Sequence, residues 1–250
     1  LSTTQFDDPH VKDFIDLKNV KNHYTNISKK DLPKGKKYSN KLMLDNALDY
    51  YIDKGDFDYL IYSNADIIVP NNLFNELTKI ELENFCAFIY PNTNIKNGNL
   101  KNIFWPHYGI DLIIYKISKD KAIKFKEIIQ SYNAYGWGLQ ENFYIAAGEA
   151  LNLKNINLFK KLKVLKFEND FLSFSEDRTS QIETWKENQK YFLSFLKANN
   201  LNNLYAKGSY YYLLFKILNF RDLNFSLILS YLIFYPYYLS KKILRILKKF

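Results

Sequence analysis

The residues with the clearest chemical potential are polar side chains that directly follow apolar runs. Asp66 closes the tripeptide Asn64-Ala65-Asp66, which comes after residues 58–63, a run rich in apolar and aromatic side chains. A carboxylate held at the end of a buried strand can ligate Mg²⁺ or Mn²⁺, and the metal then bridges the phosphates of a nucleotide. Asn and Asp are also ordinary turn formers at strand ends, so the tripeptide by itself favours a simple turn.

A second polar group surrounds residue 140. Trp137 stands between Gly136 and Gly138, and Gln140 and Glu141 follow at the start of a predicted helix. The helix dipole favours a carboxylate in the first turn, and the glycines let the backbone pass close to another group. Two interpretations are open: the segment is a loop with Trp137 as a buried anchor, or it lines a ligand pocket.

Alternating helices and strands would position these residues. Apolar residues at helical spacing predict helices at 39–54, 72–83, 118–130, 140–151 and 180–198, the last opened by a capping box at Ser180 and Glu183. Short apolar runs predict strands at 58–63, 85–90, 110–115 and 162–167, and the polar residues 91–102 predict a surface loop. The alternation predicts an α/β fold with a mainly parallel sheet sandwiched by helices. Ligands bind such sheets beyond the carboxyl ends of the strands, where Asn64-Ala65-Asp66 would emerge.

The segment 58–67 resembles the strand of GT-A glycosyltransferases that ends in a D-x-D motif. Asn64 stands in place of the first Asp of that motif, and Asp66 in place of the last. The resemblance implies a GT-A (Rossmann-like) fold and a nucleoside-diphosphate sugar as donor. It further implies that Asp66 binds Mn²⁺ or Mg²⁺, while Asn64 and Ala65 contact the donor.

Residues 135–142, Tyr-Gly-Trp-Gly-Leu-Gln-Glu-Asn, are similar to the W-G-x-E-D segment of inverting galactosyltransferase-like enzymes and their bacterial relatives. The similarity implies that Glu141 is the catalytic base, which accepts the proton of the acceptor hydroxyl as its oxygen attacks the anomeric carbon. Trp137 and Gly138 would line the sugar pocket. Gln140 stands where the family usually has Glu, so the division of labour between Gln140 and Glu141 is open.

The segment 105–111, Trp-Pro-His-Tyr-Gly-Ile-Asp, also resembles a loop of this family where donor and acceptor contacts gather. His107 would hydrogen-bond a sugar hydroxyl or a phosphate, or else serve as a structural polar residue. Asp111 would bind sugar or cap the strand that follows. Some relatives carry a metal-binding His before the last helix, which this chain lacks, so whether a third protein ligand exists is open. The candidate substitutes are Asp170, Glu176 and Asp177.

The resemblance covers about residues 41–196. It implies a hexosyltransferase that moves a sugar, from a UDP-sugar in preference to other nucleotide sugars, to a hydroxyl of a bacterial surface glycan or lipid-linked acceptor, with inversion. Two alternatives stay open: a noncatalytic glycan- or membrane-binding module on the same scaffold, and a sugar nucleotidyltransferase. The latter usually needs a Gly-rich triphosphate loop, which the sequence does not show.

Charge and composition narrow the partners. The formal net charge of +9 over 250 residues would suit phosphate-bearing ligands or anionic lipid, or the lysines simply solvate the surface. The lysine-rich residues 34–37 look like a solvated loop, and we expect no nucleic-acid partner. The single cysteine, Cys86, cannot form an internal disulfide, which fits a reducing, cytoplasmic compartment. We expect Cys86 to lie in a buried strand.

The composition changes near residue 207. We expect residues 1–207 to form the catalytic domain, with an opening strand shortened at Leu1, and residues 208–250 to form an apolar, basic helical tail. Aromatic and aliphatic residues followed by lysines are typical of a helix that lies on an anionic membrane, here the cytoplasmic face of the inner membrane. The tail would equally suit packing on the catalytic core or a homo-oligomer.

Overall fold

Helices and strands alternate along the chain in a mixed α/β fold. The computed structural model describes residues 2–6, 21–25, 41–64, 67–89, 93–96, 99–102, 110–131, 139–158, 161–167 and 178–203. The predicted tail, residues 208–250, lies outside these ranges, so the division into a catalytic domain and a tail stays a prediction.

The elements are numbered in chain order. The helices are α1 (Lys41–Lys54), α2 (Leu73–Thr78), α3 (Lys119–Ser131), α4 (Gln140–Ala150) and α5 (Arg178–Ala198). The strands are β1 (Ser2–Phe6), β2 (Lys21–Thr25), β3 (Leu60–Ser63), β4 (Ile67–Ile68), β5 (Phe85–Ile89), β6 (Thr93–Lys96), β7 (Asn99–Asn102), β8 (Leu112–Lys116), β9 (Lys154–Asn157) and β10 (Leu165–Phe167).

The central sheet has the strand order β3-β8-β5-β9. Strands β3, β5 and β9 run in one direction, and β8 runs against them between β3 and β5. The prediction of a mainly parallel sheet is therefore correct for the direction of β3, β5 and β9 but wrong for β8, which makes the sheet mixed. An apolar run buried on both faces looks alike in either direction, so sequence pattern cannot tell parallel from antiparallel pairing.

Apolar side chains cover both faces of the central sheet. Along β8, Ile113 and Tyr115 point into one core while Leu112 and Ile114 point into the other, as the two-residue period of a strand requires. The first core is closed by α1, α3, α4 and α5, and the second by α2 together with Leu158, Leu162 and Val164. A sheet sandwiched on both faces is what the continuous apolar strand patterns predict.

Helix α4 lies especially close to the central sheet. At Gly148 an added Cβ would stand 3.3 Å from Leu153 Cδ1 and 3.6 Å from Cys86 Cβ. The sheet side of this contact is the fully buried Cys86 in β5, as the sequence predicts. Burial raises the pKa of the Cys86 thiol well above its usual range, so the thiol stays protonated and unreactive.

A second four-stranded sheet has the order β4-β10-β6-β7, and β1 and β2 form a parallel pair. The prediction of a surface loop over 91–102 is wrong, because β6 and β7 pair antiparallel from Thr93↔Asn102 to Lys96↔Asn99. The polar composition of this segment suggests a loop, but pairing depends on backbone groups. Asn97-Gly98, between the two strands in sequence, is a common hairpin dipeptide.

Helix boundaries follow local chain signals with two exceptions. Helix α1 ends as predicted at Gly55, which takes φ 71° and donates its N–H to Tyr51 O at 3.1 Å. Helix α2 is shorter than predicted, because it ends at Thr78. Ile80 packs against the core from the turn that follows the helix. Helix α5 begins at Arg178, so Ser180 lies inside its first turn and the predicted capping box places the helix start three residues too late.

Membrane association was predicted from the tail alone. Across the described ranges, which stop at residue 203, no helix combines the length and the apolarity needed to cross a bilayer. The predicted surface contact of residues 208–250 with an anionic membrane stays a prediction.

The double-sided burial of β8 makes a stability prediction. Replacing Ile113, which is 0% exposed, by Ala leaves a cavity between the sheet and its helices, so we expect the free energy of unfolding to fall by about 2–5 kcal/mol. Ile123, which is 40% exposed on α3, is the matched control, and Ile123→Ala should change it by less than about 0.5 kcal/mol. Urea denaturation of both variants measures the difference, and equal losses would contradict the two-layer packing.

Candidate site at the carboxyl edge of the central sheet

The predicted site residues Asn64 and Asp111 meet at one edge of the central sheet. Strand β3 ends at Ser63, which pairs with Leu112 at the beginning of β8, and Leu112 also pairs with Ile89 at the end of β5. Residues after β3 and β5 therefore share an edge with residues before β8. This is the edge at which the strands β3, β5 and β9 end, where open α/β sheets bind ligands.

Asp111 is the centre of the polar contacts at this edge. Its side chain is only 2% exposed. The backbone N–H of Asn64 donates to Asp111 O at 2.9 Å, and the Asn64 side-chain amide Nδ2 donates to Asp111 Oδ1. Burial of a carboxylate is costly unless hydrogen bonds and an opposite charge compensate it, and Asn64 supplies part of that compensation.

Lys166 supplies the opposite charge. Its Nζ lies 3.0 Å from Asp111 Oδ1, and its side chain is 16% exposed. Lys166 belongs to β10, where it pairs with Ile67, the residue that follows Asp66 in sequence. The ion pair thus joins the edge of the central sheet to the second sheet.

Lys166 is not among the predicted site residues. A lysine between Leu165 and Phe167 in a short strand is a weak signal, because lysines are common on the solvent side of strands. The partner of Lys166 lies 55 positions away in the sequence, so its role depends on the sheet pairing. Lys163, three residues earlier in the sequence, is exposed, so the sequence pattern alone does not distinguish the two lysines.

Tyr62 connects this edge to the helix that carries Gln140 and Glu141. The Tyr62 hydroxyl donates to Asn64 Oδ1 at a long 3.4 Å, and its ring meets the Tyr144 ring edge-on, with centroids 5.5 Å apart at 72°. Glu141 lies one turn before Tyr144 in α4, on the same side of the helix. The structure therefore links the Asn64–Asp111 edge to the first turns of α4 through two aromatic side chains.

The start of α4 has the form that the sequence predicts. Leu139 takes a left-handed φ of 68°, and the helix begins at Gln140 with Glu141 in its first turn. Gln140 and Asn142 are buried, whereas Glu141 is partly exposed. A partly exposed carboxylate in the first turn suits a group that exchanges a proton with a ligand, and it equally suits favourable contact with the helix dipole.

Five predicted site residues lie outside the described residues: Ala65, Asp66, His107, Trp137 and Gly138. The acidic candidates for a third metal ligand, in 168–177, lie outside them as well. Within the ranges that the structure describes, no group of three or more His, Cys, Asp or Glu side chains could hold a metal ion. The metal prediction therefore depends on Asp66.

The Asn64–Asp111 hydrogen bond predicts that the first Asp of a D-x-D motif cannot simply be restored. Asn64→Asp replaces an amide donor by a carboxylate that faces Asp111, and the single Lys166 cannot neutralise both. We expect the free energy of unfolding to fall by about 1–3 kcal/mol at pH 7. Asn75→Asp, at an exposed position on α2, is the matched control and should leave stability nearly unchanged.

The deficit of Asn64→Asp should depend on pH. Repulsion raises the pKa of the introduced carboxyl above its unfolded value of about 3.9, so the folded variant binds a proton that the unfolded chain releases. Stability relative to the parent is therefore lowest at neutral pH and recovers as the pH falls through the raised pKa. Chemical denaturation at several pH values tests this, and an equal deficit at pH 7 and near pH 4 would contradict the contact.

Comparison with known proteins identifies no relative of this chain. No protein-family model matches the chain, and no curated protein and no solved structure matches it either. The resemblance of residues 58–67 and 135–142 to GT-A glycosyltransferases therefore stays a prediction. The chemistry at the edge of the central sheet has to supply the functional argument.

Proposed function

We propose that the protein is a GT-A type glycosyltransferase that moves a sugar from a nucleoside-diphosphate sugar to a hydroxyl of a glycan acceptor, with inversion at the anomeric carbon. The observation that carries the proposal is the contact between Asn64 and Asp111. These residues come from two segments that independently resemble donor-site segments of that family. Their contact at the carboxyl edge of the sheet supports a common site.

Charge at this edge does not oppose the binding of a diphosphate. Asp111 carries a negative charge, but Lys166 and the Asn64 amide compensate it, so the described cluster does not repel an anion as an isolated carboxylate would. The carboxyl edge of an open α/β sheet is also where nucleotides bind in other folds of this class. A nucleoside diphosphate is therefore the ligand class that best fits this edge.

Carboxylate oxygens are ligands that suit Mg²⁺ or Mn²⁺, and Asp66 is the protein carboxylate that we assign to the metal. Asp111 Oδ1 is engaged by Lys166 and Asn64, so this oxygen is not assigned to the metal. Mg²⁺ is commonly held by one or two carboxylates together with substrate phosphates, so Asp66 and the donor suffice in this proposal. When bound, the metal would neutralise charge that develops on the departing diphosphate.

Glu141 is the proposed base. The acceptor oxygen attacks the anomeric carbon and forms the new C–O bond, while the bond from that carbon to the diphosphate oxygen breaks. The hydroxyl proton passes to the Glu141 carboxylate, and the nucleoside diphosphate leaves with the bonding electron pair. The position of Glu141 in the first turn of α4, one turn from the Tyr62–Tyr144 contact, supports this assignment.

Donor binding gives the first test of the proposal. We expect one member of a panel of UDP-, GDP-, CMP- and dTDP-sugars to raise the melting temperature in the presence of Mn²⁺, on the order of 5–10 °C at about 100 times its Kd. Asp66→Ala should remove this shift, since the metal and its charge compensation are lost. Asp56→Ala, at an exposed position before β3, is the matched control and should retain it. A parent that responds to none of the donors would contradict the proposal and favour a noncatalytic module.

Turnover gives the second test. Glu141→Gln keeps the size of the side chain but removes the base, so we expect the rate of nucleoside-diphosphate release from the donor to fall by about 100-fold or more. Donor Kd should change by less than about twofold, because a base acts mainly in the transition state. Glu149→Gln, at the other end of α4, is the control and should keep the parent rate. Unchanged turnover in Glu141→Gln would assign the base to another residue.

A further inference from the structure

The Asp111 carboxylate holds both ends of a short connection between two sheets. On one side it accepts the Asn64 amide, directly after β3. On the other side it binds Lys166, which pairs with Ile67 at the beginning of β4. Only Ala65 and Asp66 separate Asn64 from Ile67 in the sequence.

The Asp111–Lys166 pair joins two sheets at a cost in desolvation free energy. A buried ion pair is often no more stabilising than an apolar pair of similar volume, because both charges lose their hydration. Apolar packing already joins these layers, since Ile67 packs with Leu112 and Val164 in one core. What an ion pair adds is direction, because its hydrogen bond fixes where Nζ and Oδ1 stand relative to each other.

We propose that the Asp111–Lys166 pair positions Asn64 and Ile67, the residues on either side of Ala65-Asp66, for donor binding, by holding them at a fixed separation. The inference rests on the proposed function, and it makes Lys166 a positioning residue for a nucleoside diphosphate with its divalent cation. Loss of either charge removes this ion pair and leaves the other charge less well compensated. The edge of the second sheet then shifts relative to β3.

The experiment compares five variants with the parent: Lys166→Met, Lys166→Arg, Asp111→Asn, the double variant Asp111→Asn/Lys166→Met, and the control Lys163→Met. Lys163 is exposed, three residues before Lys166, and its replacement removes the same charge. Each protein is measured by calorimetric titration with UDP, GDP, CMP and dTDP in the presence of Mn²⁺, and by melting temperature without ligand.

We expect Lys166→Met and Asp111→Asn each to weaken nucleotide–Mn²⁺ binding by about 10- to 100-fold, the usual effect of losing a partner that orients a binding group. Lys166→Arg keeps the ion pair and should bind within about threefold of the parent, as should Lys163→Met. The double variant removes both charges. It should therefore recover melting temperature relative to Lys166→Met while its affinity stays low.

Two results would overturn the inference while leaving the proposed function intact. The first is a Lys166→Met protein with a lower melting temperature but the same nucleotide affinity as the parent, because the pair would then serve stability alone. The second is tighter binding by Asp111→Asn, which would mean that Lys166 touches the phosphates directly once released. If Lys166→Met does not fold, the arginine and double variants decide the question. A parent that binds none of the nucleotides overturns the proposed function and this inference together.

Discussion

The described site depends on one constraint, a buried carboxylate that directly precedes an apolar strand. Strand β8 is apolar on both faces, yet the residue just before it, Asp111, carries a charge at 2% exposure. A charge so placed requires partners, and the fold provides them from two directions: Asn64 after β3 and Lys166 in β10. Satisfying one carboxylate therefore draws three separate chain segments to one edge of the central sheet.

Apolar side chains pack against both faces of the sheet that ends at this edge. Gly148 lets α4 approach β5 so closely that an added Cβ would crowd Leu153. Tyr62 then relates the edge to α4 through its contact with Tyr144. In the proposed enzyme, donor groups at the edge and the base on α4 would be held by neighbouring, well-packed elements, which is what precise transfer chemistry requires.

The proposed function assigns different roles to the acidic residues. Lys166 and the Asn64 amide compensate the charge of Asp111, so Asp111 makes contacts within the protein. Asp66 and Glu141 are the carboxylates that the proposal assigns to the metal and to the acceptor proton. An aspartate at position 64 would face the Asp111 carboxylate, so the arrangement favours the amide of Asn64.

The sequence by itself determined the elements whose side chains are periodic and apolar. Helices α1, α3 and α4 begin and end within a few residues of their predicted bounds, and Cys86 is buried in a strand as expected. Strands β6, β7 and β9 were not predicted, because their side chains are largely polar and their pairing is made by backbone groups. Asn64 and Asp111 could be named as candidates from local motifs, whereas Lys166 could not. Its significance arises from the pairing of β10 with β4 and from an ion pair across 55 positions of sequence, and such long-range contacts exist only once the tertiary structure has formed.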